Sequence, residues 1–209
     1  MRFPLVIFDL DGTLVDSFPW FLRNVNGVAD KFGFRRVEQD DIARLRNAGL
    51  PEIFERLNVP RRKLPVIVRH MRRLKREQAA EIGLFPRTAA TLRTLAAAGV
   101  RLVLVSSDNE ANARAQLGAA NVALFAGFDC GASLFGKAAK FRRVLRRAGA
   151  DPATVIAIGD EVRDIEAARA AGIACGAVTW GYAAAQALRA REPDFVFERM
   201  DDIPHDLLP

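Results

Sequence analysis

Cysteine is scarce: Cys130 and Cys175 are the only two in 209 residues. That is too few for a disulfide scaffold, and their spacing is not that of a paired metal site, so reduced and mostly buried thiols are expected. Histidine is equally scarce, with His70 and His205 far apart and without a partner at ligand spacing, so both are expected to be surface or packing residues. No run of 18 apolar residues occurs, and the opening MRFPLVIFDLDG meets acids before a signal-peptide core can form. A cytoplasmic protein with no membrane contact is expected. Glycine and proline together occupy only 25 positions and charged residues 27%, which excludes collagen-like and disordered classes. What is abundant is hydrophobic sequence, 50% of the chain, enough for one large domain or a domain carrying an insertion.

The formal charge is +6, and its distribution is uneven. Residues 15–84 hold 15 Lys and Arg against nine Asp and Glu, which is the whole excess; the rest of the chain is neutral. An excess of this kind fits nucleic acid, an anionic surface or a small anionic substrate. Within the segment, Leu64, Ile67, Met71 and Leu74 form one stripe of a helix, and Arg69, Arg72, Arg73, Lys75 and Arg76 cover its other faces. No aromatic interleaving or recognition motif accompanies them, so a solvated basic face is expected ahead of a phosphate-steering cap, and nucleic-acid binding comes third.

Outside residues 15–84, short apolar runs at 5–8, 101–107, 154–160 and 174–181 alternate with helical spacing at 88–98, 110–117, 137–148 and 163–171. That alternation is the pattern of a parallel sheet with crossover helices, and Gly99, Gly149 and Gly172 stand where helices end. A further edge strand is expected near Phe195. The fold class is therefore α/β: a doubly wound parallel sheet, formed by residues 1–14 and 85–209, with an inserted α-helical cap over 15–84. Asp9, Ser106 and Asp160 close their strands, where open α/β sheets collect ligands.

The first strand runs into Asp9-Leu10-Asp11-Gly12-Thr13. Two carboxylates two residues apart leave an extended strand on one side, and the glycine permits a tight turn that exposes N–H groups. Such a pair can bind a hard cation while one member attacks and the other shuttles a proton. Asp160 and Asp164 form a second acidic pair, at i and i+4 across a helix start; crowding several carboxylates calls for a divalent cation. An acidic helix start that merely complements the dipole accounts for Asp160 but less well for Asp164. Ser106 supplies a hydroxyl, followed by N–H groups that can cradle phosphate oxygens. Lys137 opens a helix, where the dipole disfavours a cation, and so points to an anionic partner. It is one of only five lysines against 26 arginines.

In that order, DLDGT, a strand-terminal serine, a helix-opening lysine and GDExxD resemble the four motifs of the haloacid dehalogenase-like hydrolase superfamily along essentially the whole chain. The helical insertion after DLDGTLVDS resembles its small cap, and Thr179-Trp180-Gly181-Tyr182 is similar to a stretch of its phosphoglycolate-phosphatase-like branch. The resemblance implies that Asp9 is a nucleophile forming an aspartyl-phosphate and Asp11 an acid/base. It implies that Ser106, Ser107, Lys137 and Gly12 hold phosphoryl oxygens. It further implies that Mg²⁺ is bound by Asp9, the Asp11 carbonyl and Asp160, with Asp164 supporting the cation or orienting Lys137. The activity implied is hydrolysis of a small phosphomonoester such as 2-phosphoglycolate by a monomer or homodimer. Asp11 argues for phosphoryl transfer over dehalogenation. The alternatives are a phosphosugar mutase of the same superfamily or a non-enzymatic anion- or nucleic-acid-binding protein. Asp108 stands where related phosphatases often carry Asn. Within the cap, Arg44 and Arg46 are candidates for a substrate carboxylate, and Trp20 is expected to pack cap against core or line the pocket.

Overall fold

A computed structural model describes residues 2–131 and 136–208. Strand β1 (Leu5–Phe8) is followed by four helices: α1 (Phe18–Phe32), α2 (Gln39–Arg46), α3 (Leu50–Arg56) and α4 (Leu64–Glu77). The chain then alternates: α5 (Thr88–Ala97), β2 (Arg101–Val105), α6 (Glu110–Val122), β3 (Phe125–Asp129), α7 (Lys137–Ala148), β4 (Val155–Gly159), α8 (Val162–Ala171), β5 (Ala174–Val178), α9 (Ala185–Arg189), β6 (Phe195–Phe197) and α10 (Asp202–Leu207). All six strands pair in parallel in the order β3-β2-β1-β4-β5-β6.

The central strands are apolar throughout because both faces are covered. Successive residues point to opposite faces. Val6 and Phe8 join Leu102, Leu104, Ile156 and Ile158 against Leu92 and Leu95 of α5, Leu117 of α6 and Ile203 of α10. Leu5 and Ile7 join Val103, Val105, Val155 and Ala157 against Phe141 and Val144 of α7, Ile165 and Ala168 of α8 and Leu188 of α9. The sheet is thus doubly wound, and β1, β2 and β4 at its centre deliver their carboxyl ends to one edge.

One strand and several boundaries differ from the sequence expectation. Strand β3 was not anticipated: Phe-Ala-Gly-Phe-Asp has no β-branched residue, and as an edge strand it is mostly half-buried. The helix expected over 110–117 continues to Val122 across a non-helical Gly118, and the strands expected to reach 107 and 181 stop at Val105 and Val178. The last residues of those two runs form the loops that build the site. Cys175 is buried on β5 and Cys130 is half-buried after β3; both are free thiols. No helix among the described residues is long and apolar enough to cross a membrane.

Helices α1 to α4 have an apolar cluster of their own, in which Val25 and Val28 of α1 and Ile67 of α4 meet Val37, Leu57 and Val59. The chain leaves and re-enters the sheet layer side by side. Val15 pairs with Leu84, and the Asp16 N–H donates to the Gly83 carbonyl at 2.9 Å.

Candidate active site

The turn after β1 is built around one carbonyl. Leu10 O accepts from the N–H groups of Thr13, Leu14 and Val15, which folds the chain back and leaves Asp9 and Asp11 on the strand's open end. Gly12 is required there. Its φ is +76°, and a Cβ at that position would stand 2.1 Å from Asp160 Oδ2. Thr13 Oγ1 donates to Asp160 Oδ1 at 2.9 Å and the Tyr182 N–H donates to Oδ2 at 2.7 Å, so the β1 turn and the β5 loop together orient the carboxylate that ends β4.

Asp9, Asp160 and Asp164 converge: one oxygen from each lies within 4.8 Å of the others, and all three residues are buried. Asp164 serves twice. One oxygen accepts from the Glu161 N–H at 3.0 Å, closing a capping box at the start of α8, and the other accepts from the Lys137 ammonium. Asp164 thus caps α8 and belongs to the buried acidic cluster at once. Lys137 also lies 2.9 Å from Asp9 Oδ2, so this helix-opening ammonium is paired with two carboxylates. Burial pushes the Asp9 carboxyl up to about 6, against the pull of Lys137. Burial, with Glu161 and Asp9 adding repulsion, holds Asp160 well above the usual carboxylate range. For Lys137 burial opposes the charge, but Asp164 and Asp9 outweigh it and raise the ammonium above its ordinary value. Hard oxygen donors packed this closely suit a divalent cation.

The side chain of Asp11 is not part of that cluster. Both its oxygens accept from Lys75 of α4, at 2.5 and 2.6 Å, and Lys75 also donates to Asp108 Oδ2 at 2.9 Å. Lys75 is 5% exposed, which corrects the expectation that it belongs to a solvated basic face. Arg72, one turn earlier, donates to the Ser107 carbonyl, whereas Arg69, Arg73 and Arg76 are exposed. Asp108 is buried and anchored by the Asn109 N–H at 2.7 Å and Asn112 Nδ2 at 3.1 Å. In the same loop the Ser106 hydroxyl accepts from the Asp108 N–H at 3.0 Å, and Lys140 donates to the carbonyls of Ser106, Asp129 and Gly131.

A cavity of about 720 Å³ lies between α1–α4 and this edge of the sheet, walled on its polar side by Asp11, Lys75, Ser107, Asp108, Lys137 and Tyr182. Asp9, 5% exposed, lies outside that wall. Trp20 is buried and lines the cavity, its Nε1 donating to Gln78 at 2.6 Å. Arg46 is committed to structure: it donates to the carbonyls of Tyr182 and Gly181 at 3.0 and 2.9 Å, tying α2 to the β5 loop. Arg44 is exposed and away from the cavity wall. Of the two arginines, Arg46 alone lines the cavity, with its Nε and one terminal nitrogen engaged by the loop carbonyls.

Residues 6–178 match the sequence family described as haloacid dehalogenase-like hydrolase. The chain belongs to that family. A phosphoglycolate phosphatase of Synechococcus elongatus is 33% identical over 199 residues, covering 95% of this chain and 94% of the relative. A pyrophosphatase of Bacillus velezensis is 28% identical, covering 98% and 96%. A haloacid dehalogenase-like family protein from Streptococcus pneumoniae has the same fold, with a TM-score of 0.80 at 23% identity over 98% of both chains. The hydrolase lies in the phosphoglycolate-phosphatase-like branch and is a phosphatase.

Sequence reasoning missed Lys75, Arg72 and Tyr182 as groups at the site of this hydrolase. Tyr182 lay in the stretch similar to the phosphoglycolate-phosphatase-like branch, and Lys75 carried a weaker signal: a lysine in the last turn of a helix whose other cations, apart from the Lys63 that precedes it, are all arginine.

Proposed function

We propose that this hydrolase is a Mg²⁺-dependent phosphomonoesterase working through an aspartyl-phosphate on Asp9, with 2-phosphoglycolate as the leading substrate. The observation that carries the reading is the buried convergence of Asp9, Lys137, Asp164 and Asp160 beneath a cavity whose wall includes Asp11. An Asp9 oxygen attacks phosphorus in line; the P–O bond to the leaving group breaks as Asp11 gives that oxygen its proton. Asp11 then takes a proton from the water that attacks the acyl-phosphate, releasing phosphate and restoring Asp9. Lys137, the Ser106 hydroxyl and the backbone N–H of Ser107 hold the phosphoryl oxygens, whereas the Gly12 N–H is committed to the Val15 carbonyl at 2.9 Å and shapes the turn instead. Asp9, Asp160 and the Asp11 carbonyl would hold Mg²⁺, with Asp164 fixing Lys137 beside them. When bound, the cation neutralises charge on the phosphoryl group.

The helices of residues 15–84 form a cap on the core of residues 1–14 and 85–209, and this cap excludes bulk water and selects substrate. The two free thiols accord with the cytoplasmic location expected from the sequence. The test is a screen of 2-phosphoglycolate, pyrophosphate, sugar phosphates and nucleotides with and without Mg²⁺, run beside Asp9→Asn. The reading predicts cation-dependent release of phosphate that is lost in the variant, with 2-phosphoglycolate preferred. Activity persisting in Asp9→Asn would reject the nucleophile, and pyrophosphate outpacing every monoester would reject the substrate class.

A further inference from the structure

We infer that Lys75 is a specificity-determining residue that selects phosphomonoesters whose leaving group carries its own anionic oxygen close to the ester bond; this rests on the reading of Asp11 as the group that protonates the leaving oxygen. A buried lysine is costly unless its charge is met, and here two carboxylates meet it. Both Asp11 oxygens, at 2.5 and 2.6 Å, and Asp108 Oδ2, at 2.9 Å, surround the Lys75 ammonium.

Its position is dictated by the core as well as by the cap. Asp108, held by the Asn109 N–H and the Asn112 amide, fixes one Lys75 donor at 2.9 Å. Arg72 pins the same face of α4 to the Ser107 carbonyl, and Asn112 Nδ2 donates to the Arg72 carbonyl at 3.1 Å. An ammonium has three donors. One goes to Asp108, and Asp11 takes the other two. A leaving oxygen that engages Asp11 draws that carboxyl away from Lys75 and brings the substrate's own substituents to it. The two released donors then face the cavity, matched to the paired oxygens of a carboxylate.

Two arginines of the cap also line this cavity, and both are hydrogen-bonded to carbonyls; Arg72 donates to that of Ser107. Arg46 is spent on the Gly181 and Tyr182 carbonyls, and Phe18, Phe21 and Leu45 line the same cavity with hydrocarbon. Lys137 is engaged by Asp9 and Asp164 on the phosphoryl side. Lys75 is the cation in direct contact with Asp11, and so the one on the leaving-group side. The geometry suits a carboxylate one carbon from the ester oxygen better than a neutral alkyl group, which would leave two buried donors unpaired.

The experiment compares kcat/KM for 2-phosphoglycolate and for ethyl phosphate, which lacks only the carboxylate chemistry, using the full chain with Mg²⁺. The wild-type protein, Lys75→Met, Lys75→Gln and Lys75→Arg are measured, each checked by circular dichroism and thermal melting. In wild type the ratio favours 2-phosphoglycolate. In Lys75→Met and Lys75→Gln the ratio falls about 10- to 100-fold, the loss of one or two charge-assisted hydrogen bonds, mainly through KM. Lys75→Arg keeps the charge and recovers part of the ratio. If Lys75→Met does not fold, Lys75→Gln retains the reach and polarity and gives the same comparison. An equal loss on both substrates overturns the inference, because Lys75 would then act only through Asp11 or the fold; a wild-type ratio near one overturns it as well. In either case ethyl phosphate turnover that is lost in Asp9→Asn leaves the phosphatase reading standing, whereas its persistence in that variant counts against that reading separately.

Discussion

Replacing Asp9 by Asn removes the proposed nucleophile, yet the structure implies that it strengthens the cation-free fold. Asp9 is 5% exposed, shares a 4.8 Å cluster with Asp160 and Asp164, and has Lys137 as its close cation, which it shares with Asp164. Its carboxyl is pushed up to about 6 from an ordinary 3.8, chiefly by burial. A folded-state value raised above the unfolded one means that the native protein binds more protons between those values. The stability that Asp9 contributes is complete below pH 4 and is lost as pH rises through 6. A shift of about two units corresponds to roughly 3 kcal/mol at pH 7.5. Asparagine has the shape of the protonated acid and no charge, and Lys137 retains Asp164 in the variant. The expected gain is on the order of 1–3 kcal/mol, or about 3–10 °C in melting temperature for a chain of this size. The assay is thermal unfolding in chelator at pH 4.5 and 7.5, with turnover measured in parallel. The variant should melt higher than wild type at pH 7.5, match it more closely at pH 4.5, gain less from added Mg²⁺, and hydrolyse nothing. A lower melting point at pH 7.5, or a gain independent of pH, would refute the electrostatic account of the cluster.

Lys137→Met leaves Asp9 and Asp164 buried without their shared cation; urea unfolding at pH 7.5 should show a loss of about 3–5 kcal/mol, against less than about 0.5 for the exposed Arg69→Ala. Gly12→Ala combines a φ of +76° with a methyl 2.1 Å from Asp160, whereas Gly33→Ala has a φ of +74° and open space. Gly33→Ala should therefore cost about 1–2 kcal/mol and keep activity, while Gly12→Ala costs more and loses Mg²⁺-induced stabilisation in a thermal shift measurement. Arg46→Ala breaks the ties to the Gly181 and Tyr182 carbonyls. It should cost about 1–3 kcal/mol in urea and raise KM, and an unchanged KM would show that the α2 tie is dispensable for substrate capture.

Much of this molecule follows from local sequence because its causes are local. Apolar runs such as Leu-Val-Ile-Phe have to be covered on both faces, which makes them central parallel strands. Asp9, Ser106 and Asp160 stand at strand ends, where the topology of such sheets gathers them. Charge counting along the chain likewise separated residues 15–84 from the neutral remainder. The edge strand β3 was hidden because its Phe-Ala-Gly-Phe-Asp carries no β-branched residue and continues the apolar end of α6 without a turn signal. What only the tertiary structure decided is how distant charges pair. Nothing in an arginine-rich helix says that Lys75 turns inward to Asp11 and Asp108 across 64 and 33 residues, or that Arg46 spends its guanidinium on a loop 135 residues away. The energy of a buried charge depends on which partners the fold brings within hydrogen-bonding distance, and that is a property of packing rather than of spacing along the chain.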